Sequence, residues 1–248
     1  MRKVALVTGA SAGIGAATAL AAASAGYDVA VAYGRDRAGA DATAEACRAA
    51  GARAAVLQAD MAAPDGPEAL MAAFDAEFDR LDALVNNAGI VDVAARVDEM
   101  DYARLARMFQ VNSISPMRLA GLAVRRMSTR HGGAGGVIVN VSSVAARLGA
   151  ANQFVDYAAS KAAIDALTKG LADEVAAEGV RVAAVRPGLI ETAIHAKGGD
   201  ADRARRLASN VPMQRVGSAQ EIAAAILWLM SDGASYVTGT TLDVSGGR

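Results

Sequence analysis

Short apolar runs recur along the chain, and longer stretches between them repeat apolar residues every three or four positions. A short apolar run is typical of a strand buried in a sheet, whereas the longer repeat is typical of a helix with one buried face. The short runs predict strands at 4–7, 28–33, 53–58, 82–86, 137–141, 180–185 and 241–244. The longer repeats predict helices at 16–25, 39–50, 65–78, 101–130, 153–177 and 219–230.

This alternation of strand and helix indicates the fold class. Strands joined by helices form parallel sheets whose faces the helices cover. The glycine-rich run 132–136 could be a domain linker, but a predicted strand follows at once and continues the alternation. Residues 189–210 are helix-prone yet charged, and they interrupt it. We therefore expect residues 1–248 to form a single doubly wound α/β domain, with a parallel sheet of about seven strands and helices on both faces.

Composition narrows the classes of protein to which the chain can belong. Hydrophobic residues make up 53% of its 248 residues, enough for a sizeable core. A net charge of −1 gives no general attraction to nucleic acid or to an anionic membrane. Cys47 is the only cysteine, so it cannot form an intramolecular disulfide, and His131 and His195 add too few ligands for a structural zinc site. We expect a cytoplasmic protein without a metal, a nucleic-acid partner or a membrane partner.

A glycine-rich turn lies between the first strand and the first helix, and it contains Gly9, Gly13 and Gly15. Glycines let the chain bend tightly and let a pyrophosphate approach the backbone, while the helix N-terminus offers free N–H groups and a positive dipole end. The spacing differs from the Gly-x-Gly-x-x-Gly of the common dinucleotide fingerprint, and an ordinary glycine loop is the alternative. The order of strand, turn and helix favours a nucleotide site.

Polar residues also follow the later strands. Asp60 comes after the third strand, 86–89 after the fourth, Ser142 and Ser143 after the fifth, and Pro187-Gly188 after the sixth. In an open parallel sheet, ligands bind beyond the carboxyl ends of the strands, and these residues would share that edge with the glycine turn. Any one of them could be a simple turn, but their common placement predicts a binding site.

Tyr157 and Lys161 lie four residues apart in the long helix after the fifth strand, so they share one face. The ordinary pKa of tyrosine, about 10, is too high for easy proton exchange at neutral pH. A nearby ammonium group would stabilise the phenolate and lower the pKa of Tyr157, which makes it a candidate general acid and base. An isolated pair would be interpreted as a solvated helix face. Beside the glycine turn and a serine after the fifth strand, the pair indicates catalysis.

Together these motifs resemble those of the short-chain dehydrogenase/reductase family over nearly the whole chain. The matching stretches are Thr8 to Gly15, Asn86-Asn87-Ala88-Gly89, Asn112, Ser143, Tyr157-x-x-x-Lys161, Pro187-Gly188-x-Ile190-x-Thr192 and the tail from Tyr236 to Gly247. The resemblance implies a Rossmann-type fold and a nicotinamide-dependent oxidoreductase that interconverts a carbonyl and a secondary alcohol on a sugar or another small molecule. The chain is more closely similar to members named glucose 1-dehydrogenase or 3-oxoacyl-carrier-protein reductase.

By position, the resemblance implies a role for each catalytic candidate. Tyr157 would exchange the substrate hydroxyl proton, and Lys161 would hold the nicotinamide ribose and tune Tyr157. Ser143 would hydrogen-bond the substrate oxygen. Asn112 would support a water relay to Lys161. The interval from serine to tyrosine is about one residue longer than the commonest family pattern, which leaves Ser142 as a weaker candidate than Ser143.

The resemblance also implies that a nicotinamide cofactor lies along the same edge. Asp60 would meet its adenine, and Ile190 and Thr192 its nicotinamide amide. The implied cofactor-binding residues are Gly9, Ser11, Gly13, Ile14, Gly15, Tyr33, Arg35, Asp60, Met61, Asn87, Ala88, Gly89, Tyr157, Lys161, Pro187, Gly188, Ile190 and Thr192.

The end of the second strand bears on the choice between NAD and NADP. A carboxylate there normally binds the ribose hydroxyls of NAD and repels the 2′-phosphate of NADP. This chain has Tyr33 at that position and Arg35 two residues later, and an arginine can bind a phosphate. Two features weaken the preference for NADP. Ala12 stands where NADP-using relatives often carry a basic residue, and the acidic Asp36 adjoins Arg35. The sequence favours NADP and leaves NAD as the alternative.

The expected partners are a small carbonyl or alcohol substrate and further copies of the chain. The family's usual assembly, the apolar run 226–230 and a largely apolar last strand predict a homotetramer. An acyl-carrier substrate is an alternative, which a basic surface patch containing Arg125, Arg126 and Arg130 would favour. The alternative from a different class is a catalytically silent nucleotide-sensing regulator.

Overall fold

A parallel sheet forms the centre of the computed structural model, which describes residues 2–191, 202 and 206–248. Its strands are β1 (Val4–Val7), β2 (Asp28–Tyr33), β3 (Ala54–Gln58), β4 (Ala83–Asn86), β5 (Gly136–Val141), β6 (Val180–Pro187) and β7 (Thr241–Val244). They lie in the order β3-β2-β1-β4-β5-β6-β7, and every neighbouring pair is parallel. The predicted doubly wound sheet is confirmed.

Helices cover both faces of this sheet. They are α1 (Gly13–Ser24), α2 (Arg37–Ala49), α3 (Gly66–Glu77), α4 (Tyr102–Phe109), α5 (Ser115–Met127), α6 (Ala145–Leu148), α7 (Val155–Val175) and α8 (Ala219–Met230). Successive strand residues point to opposite faces. Ala5 and Val7 of β1 therefore pack in one core with α1, α2 and α8, while Val4 and Leu6 pack in the other with α3, α5 and α7.

The helix predicted at 101–130 is interrupted in its middle. Residues Gln110–Ile114 form a π-helical turn between α4 and α5. Pro116 lies at the start of α5 and has no N–H to donate to the carbonyl of Asn112, which a continuous α-helix would require. The ladder therefore changes register at this point, and π turns of this kind are frequent at functional sites.

The short helix α6 was not predicted, because four residues are too few to show a helical period. It ends at Gly149, whose φ of +73° is left-handed. Most of the charged segment 189–210 lies outside the described residues. No helix in the described part of the chain is both long and apolar enough to cross a membrane.

Candidate active site

The glycine turn after β1 lies where the strand order of the sheet reverses. β1 is flanked by β2 and β4, and the helices that follow β1 and β4 pack on opposite faces, which opens a crevice between the two strand ends. Gly9 and Gly13 have φ values of +63° and +57°, a conformation that favours glycine. The turn thus has the position and the backbone shape used by dinucleotide sites.

Thr8 and Asn87 tie this turn to the end of β4. The Thr8 hydroxyl accepts hydrogen bonds from the backbone N–H groups of Asn87 and Ala88, both at 3.0 Å. In return, the Asn87 amide donates to the carbonyl oxygens of Thr8 at 2.8 Å and Gly9 at 3.2 Å. Two predicted cofactor contacts, Asn87 and Ala88, are therefore part of the turn's own framework.

Gly15 allows the closest contact within the turn. A methyl group built at Gly15 would lie 2.3 Å from the carbonyl oxygen of Gly9 and 2.5 Å from the amide nitrogen of Asn87. A side chain at this position would displace the turn. The third glycine of the motif therefore serves the packing of α1 against the turn.

The N-terminus of α1 has no side-chain cap. Its N-cap residue is Ala12, and its first turn contains no acidic residue. Ser11, Gly13 and Ile14 are partly exposed at this end of the crevice. Because the first N–H groups of a helix have no partner within the helix, an uncapped N-terminus offers them to an anion. The turn fits the pyrophosphate of a dinucleotide.

The end of β2 adjoins the glycine turn. Tyr33 is buried there, and Arg35 is exposed two residues beyond. The Asp36 carboxylate accepts a hydrogen bond from the N–H of Gly39 at 2.9 Å and so caps α2. Asp36 makes no ion pair with Arg35 among the described residues, which removes one objection to a phosphate contact there.

Asp60 and Met61 follow β3. Asp60 is exposed, and its carboxylate accepts a hydrogen bond from the N–H of Ala62 at 2.9 Å. Met61 buries its side chain in the core, and its carbonyl accepts a hydrogen bond from the Ser115 hydroxyl at 2.7 Å. A contact between Met61 and the cofactor would therefore have to come from its backbone.

Ser142 and Ser143 both follow β5, but they have different partners. Ser142 is 2% exposed, and its hydroxyl donates to the carbonyl oxygen of Lys161 at 3.1 Å. Ser143 is partly exposed, and its side chain interacts with the Tyr157 phenol in the direction that lowers the pKa of Tyr157. Ser143 Oγ also accepts a hydrogen bond from the N–H of Ala145 at 3.1 Å. The geometry thus brings Ser143, and not Ser142, to the candidate acid/base.

Tyr157 and Lys161 lie close together on α7, with Nζ of Lys161 5.8 Å from the centre of the Tyr157 ring. Burial raises the pKa of Tyr157, because a phenolate is poorly solvated away from water, and the hydrogen bond with Ser143 opposes this shift. The expected lowering of the pKa of Tyr157 by Lys161 is therefore wrong for the protein alone, since burial outweighs the opposing interaction.

Lys161 is itself buried, at 4% exposed, and its Nζ donates to the carbonyl oxygen of Val141 at 2.8 Å. Burial lowers the pKa of Lys161 to about 8, and Asp165, one turn further along α7, opposes the shift. The ammonium form still predominates at pH 7. A positive charge with few solvent contacts therefore lies under the candidate acid/base.

Asn112 lies in the π turn and is fully buried. Its Oδ1 accepts a hydrogen bond from the N–H of Ile90 at 2.8 Å, and its Nδ2 donates to the Ile90 carbonyl at 2.9 Å. A methyl group built at Gly89 would lie 3.3 Å from both Asn112 Oδ1 and Lys161 Nζ. Asn112 thus fixes the segment after β4 beside Lys161, while its role in a water relay stays a prediction.

Pro187, Gly188 and Ile190 occupy the end of β6 and the residues beyond it. The Pro187 carbonyl accepts a hydrogen bond from the N–H of Val144 at 3.1 Å, and Gly188 donates to the carbonyl of Val244 at 3.1 Å. Ile190 is buried and pairs with Gly217 in an isolated parallel bridge. These contacts place all three on the edge that holds Ser143. Thr192 lies outside the described residues.

Sequence reasoning missed the pair formed by Arg104 and Asp156. Asp156 directly precedes Tyr157 and binds Arg104, 52 residues away, at 2.8 Å. The only signal in the sequence is an acidic residue beside a candidate catalytic tyrosine. No local pattern connects it with its partner.

Comparisons with known proteins agree with this geometry. The family model described as enoyl-(acyl carrier protein) reductase matches residues 9–248. An Escherichia coli (strain K12) protein named uncharacterized oxidoreductase YgfF is 50% identical over 245 residues, covering 99% of each chain. The cis-4-hydroxycyclohexanecarboxylate dehydrogenase of Sinomonas cyclohexanicum is 42% identical, covering 99% of this chain and 96% of that protein. Glucose 1-dehydrogenase 2 of Bacillus subtilis and the 3-oxoacyl-carrier-protein reductase of E. coli are also relatives, at 36% and 38% identity.

A solved structure shares the whole architecture. The short-chain dehydrogenase from Burkholderia cenocepacia J2315, in complex with NADP, superimposes with a TM-score of 0.90 at 33% identity, covering 99% of this chain and 97% of that one. Both the sequence and the fold therefore match over nearly the full length. This chain belongs to the short-chain dehydrogenase/reductase family of NAD(P)-dependent oxidoreductases.

Proposed function

We propose that this oxidoreductase interconverts a carbonyl group and a secondary alcohol by hydride transfer, with NADP(H) as its cofactor and Tyr157 as general acid and base. The observation that carries the proposal is the placement of Tyr157 beside the buried Lys161, whose Nζ lies 5.8 Å from the centre of the tyrosine ring, with Ser143 interacting with the same phenol. A serine that holds an oxygen and a tyrosine that exchanges its proton are the groups that this reaction needs from the protein.

The cofactor would accept the hydride in oxidation and donate it in reduction. In oxidation, Ser143 would hold the substrate oxygen while the Tyr157 phenolate takes the hydroxyl proton as the C–H bond breaks. In reduction, the Tyr157 hydroxyl would return that proton to the carbonyl oxygen, so that protons and electrons balance in both directions. Lys161 would hold the nicotinamide ribose through its buried ammonium group, close to the Tyr157 ring.

Cofactor binding would use groups on the carboxyl edge of the sheet. The backbone of 9–15 would bind the pyrophosphate, because its helix N-terminus is uncapped. Asp60 and 87–89 would contact the adenosine side, and Pro187-Gly188, Ile190 and Thr192 the nicotinamide. Every one of these positions that the structure describes lies on the same edge.

The preference for NADP rests on Arg35. Its side chain is exposed beside the end of β2, and it has no ion pair among the described residues. Asp36, which could have neutralised it, caps α2 instead. The B. cenocepacia relative holds NADP in the same fold, which supports the same choice here.

A small free substrate is favoured over an acyl group on a carrier protein. The carrier alternative calls for a basic patch at Arg125, Arg126 and Arg130. Arg126 is paired with Asp75, and Arg130 lies 3.7 Å from Glu178, so two of the three charges are balanced within the chain. The S. cyclohexanicum relative, named for its action on a small cyclic hydroxy acid, supports the same direction.

A spectrophotometric screen tests the proposed reaction. NADPH oxidation with a panel of small ketones, and NADP reduction with the matching alcohols, should reveal turnover. Cofactor binding without turnover on the whole panel would favour the silent regulator instead.

We also infer that the chain forms a homotetramer. The run 226–230 gives less support than the sequence suggested, because Ile226, Leu229 and Met230 pack in the core and Trp228 is the exposed member, at 44%. Other apolar side chains support an interface. Ile114 and Met117 are about half exposed on the helical segment before and within α5, and Leu242 is exposed on the edge strand β7.

A further inference from the structure

Arg104 and Asp156 form an ion pair that is withdrawn from water. Arg104 lies in the first turn of α4, and Asp156 in the first turn of α7. The Arg104 guanidinium donates to the two carboxylate oxygens at 2.8 Å and 3.4 Å, and the side chains are 12% and 0% exposed. No other ion pair between described residues is so completely buried. Because desolvation offsets most of the attraction in such a pair, stability alone is a weak reason for it.

The guanidinium makes a third contact, with the segment that follows Gly89. Arg104 Nη1 donates to the carbonyl oxygen of Val93 at 2.9 Å. At the start of this segment, Asn112 holds both the N–H and the carbonyl of Ile90. Asn112 and Arg104 belong to one helical segment, so residues 90–93 are clamped at both ends by the same element.

The first turn of α7 needs such an external clamp. Its N-cap residue, Phe154, makes no side-chain hydrogen bond to the helix. The loop before it contains two non-glycine residues with left-handed backbone, Ala150 at φ +48° and Asn152 at φ +60°. Tyr157 follows Asp156 directly, so any fraying or shift of this turn moves the tyrosine.

We propose that Arg104 and Asp156 are positioning residues for the reaction. They join α4, the segment 90–93 and the first turn of α7, and thereby hold Tyr157 in place beside Lys161 and Ser143. This inference rests on the proposed function, because it takes Tyr157 to be the acid/base. A displacement of about 1 Å at a reacting group can cost about 100-fold in rate, so a clamp of this kind acts on kcat.

Two variants test the clamp. Arg104→Met/Asp156→Leu removes both charges together and leaves no unpaired buried charge, and Asp156→Asn removes one charge with little change of shape. Each should keep the cofactor KM within about twofold and lose about 10-fold to 100-fold in kcat, with folding checked by circular dichroism. If either folded variant keeps wild-type kcat, or if cofactor affinity falls as much as kcat, the positioning role is wrong.

Arg126→Met is the matched control. It makes the same substitution in an ion pair with Asp75 that joins α5 to α3, outside the clamp, and it should leave kcat unchanged. An equal loss of kcat in this control would show a general effect of losing ion pairs and overturn the inference.

Failure of the proposed function can be distinguished from failure of the positioning role, because in that case the wild-type protein itself shows no turnover. If wild type is active, Tyr157→Phe inactive and Asp156→Asn fully active, only the positioning role fails.

Discussion

Ser142 and Ser143 are neighbours in sequence, yet their surroundings give them different chemistry. The motif spacing favoured Ser143 but left Ser142 open, because a one-residue offset in a loop cannot be resolved from spacing. The structure gives the two serines different surroundings: Ser142 is buried and bonds to the carbonyl of Lys161, whereas Ser143 interacts with Tyr157, which supports Ser143 as the proposed catalytic serine. The pKa of Tyr157 could not be predicted either, since it depends on how deeply the ring is buried.

Ser143→Ala should lower kcat by about 100-fold or more, because it removes a hydrogen bond to the reacting oxygen. It should also move the pH profile of alcohol oxidation. Oxidation needs the phenolate, so its rate rises with pH through the pKa of Tyr157, and loss of the Ser143 hydrogen bond raises that pKa. The rising limb should therefore lie at higher pH in the variant.

Ser142→Ala is the control for that measurement. It should keep most of kcat and lose about 1 kcal/mol of stability, the usual contribution of one hydrogen bond. A larger loss of kcat from Ser142→Ala than from Ser143→Ala would reverse the assignment, as would a shift of the limb to lower pH.

Arg35→Ala tests the cofactor preference. One charge-assisted hydrogen bond to a phosphate is worth about 1.5–3 kcal/mol, so the ratio of kcat/KM for NADPH to that for NADH should fall by about tenfold to hundredfold. Arg53→Ala, whose guanidinium is paired with Glu77 at the amino end of β3, away from the cofactor edge, should leave this ratio within about twofold. An unchanged ratio in Arg35→Ala would remove the basis for preferring NADP.

At the scale of elements, the strands and helices with clearly buried faces were the ones whose bounds could be predicted best. β1, β2, β7 and α8 match their predicted bounds to the residue, because buried strands and amphipathic helices carry strong periodic signals. The π turn at Gln110–Ile114 was not predicted, since the spacing of apolar residues does not show that Pro116 lacks an N–H for the helical hydrogen-bond ladder. Contacts between distant elements, such as Thr8 with Asn87, have no local pattern at all. The sequence could predict which residues lie at the carboxyl edge of the sheet, but not the hydrogen bonds that connect these residues to one another.

Gly15→Ala should weaken cofactor binding through the turn rather than through α1 itself. Its methyl group would lie 2.3 Å from the Gly9 carbonyl, so the turn must shift away from the pyrophosphate position. We expect the cofactor Kd to rise by about tenfold or more, corresponding to at least about 1.4 kcal/mol. Isothermal titration with NADPH measures it.

Gly170→Ala is the matched control, because a methyl group there meets nothing within 4 Å. It should leave the Kd unchanged and can stabilise α7 by about 0.4–1 kcal/mol. Equal cofactor affinities in Gly15→Ala and wild type would show that the turn does not bind the dinucleotide.

At the scale of the whole molecule, the loops at the carboxyl edge of one seven-stranded sheet carry most of the described site residues, and Asn112, Tyr157 and Lys161 join them from helical segments. The common placement of the loop residues follows from the alternation of strands and helices along the chain, because parallel strands point their carboxyl ends the same way. The assembly does not follow from it. Apolar residues in α8 that suggested an interface turned out to fill the core, since a helix pattern does not tell core from interface. That residues 1–248 fold as one unit stays a prediction.

Sedimentation at micromolar concentration should show a species of four times the 25.1 kDa chain mass. Ile114→Glu, which places a charge on the exposed apolar surface beside α5, should shift the protein to smaller species. A wild-type protein that sediments only as a 25.1 kDa monomer would refute the tetramer.

The central claim is that Tyr157 transfers the proton in a hydride-transfer reaction. The most direct test is the turnover of Tyr157→Phe beside wild type, at saturating NADPH, on the best carbonyl substrate. The substitution removes one hydroxyl and keeps the ring, so NADPH affinity should stay within about twofold while kcat falls by about 100-fold to 10,000-fold, the usual contribution of a general acid. Wild-type turnover in Tyr157→Phe with unchanged cofactor affinity would contradict the account.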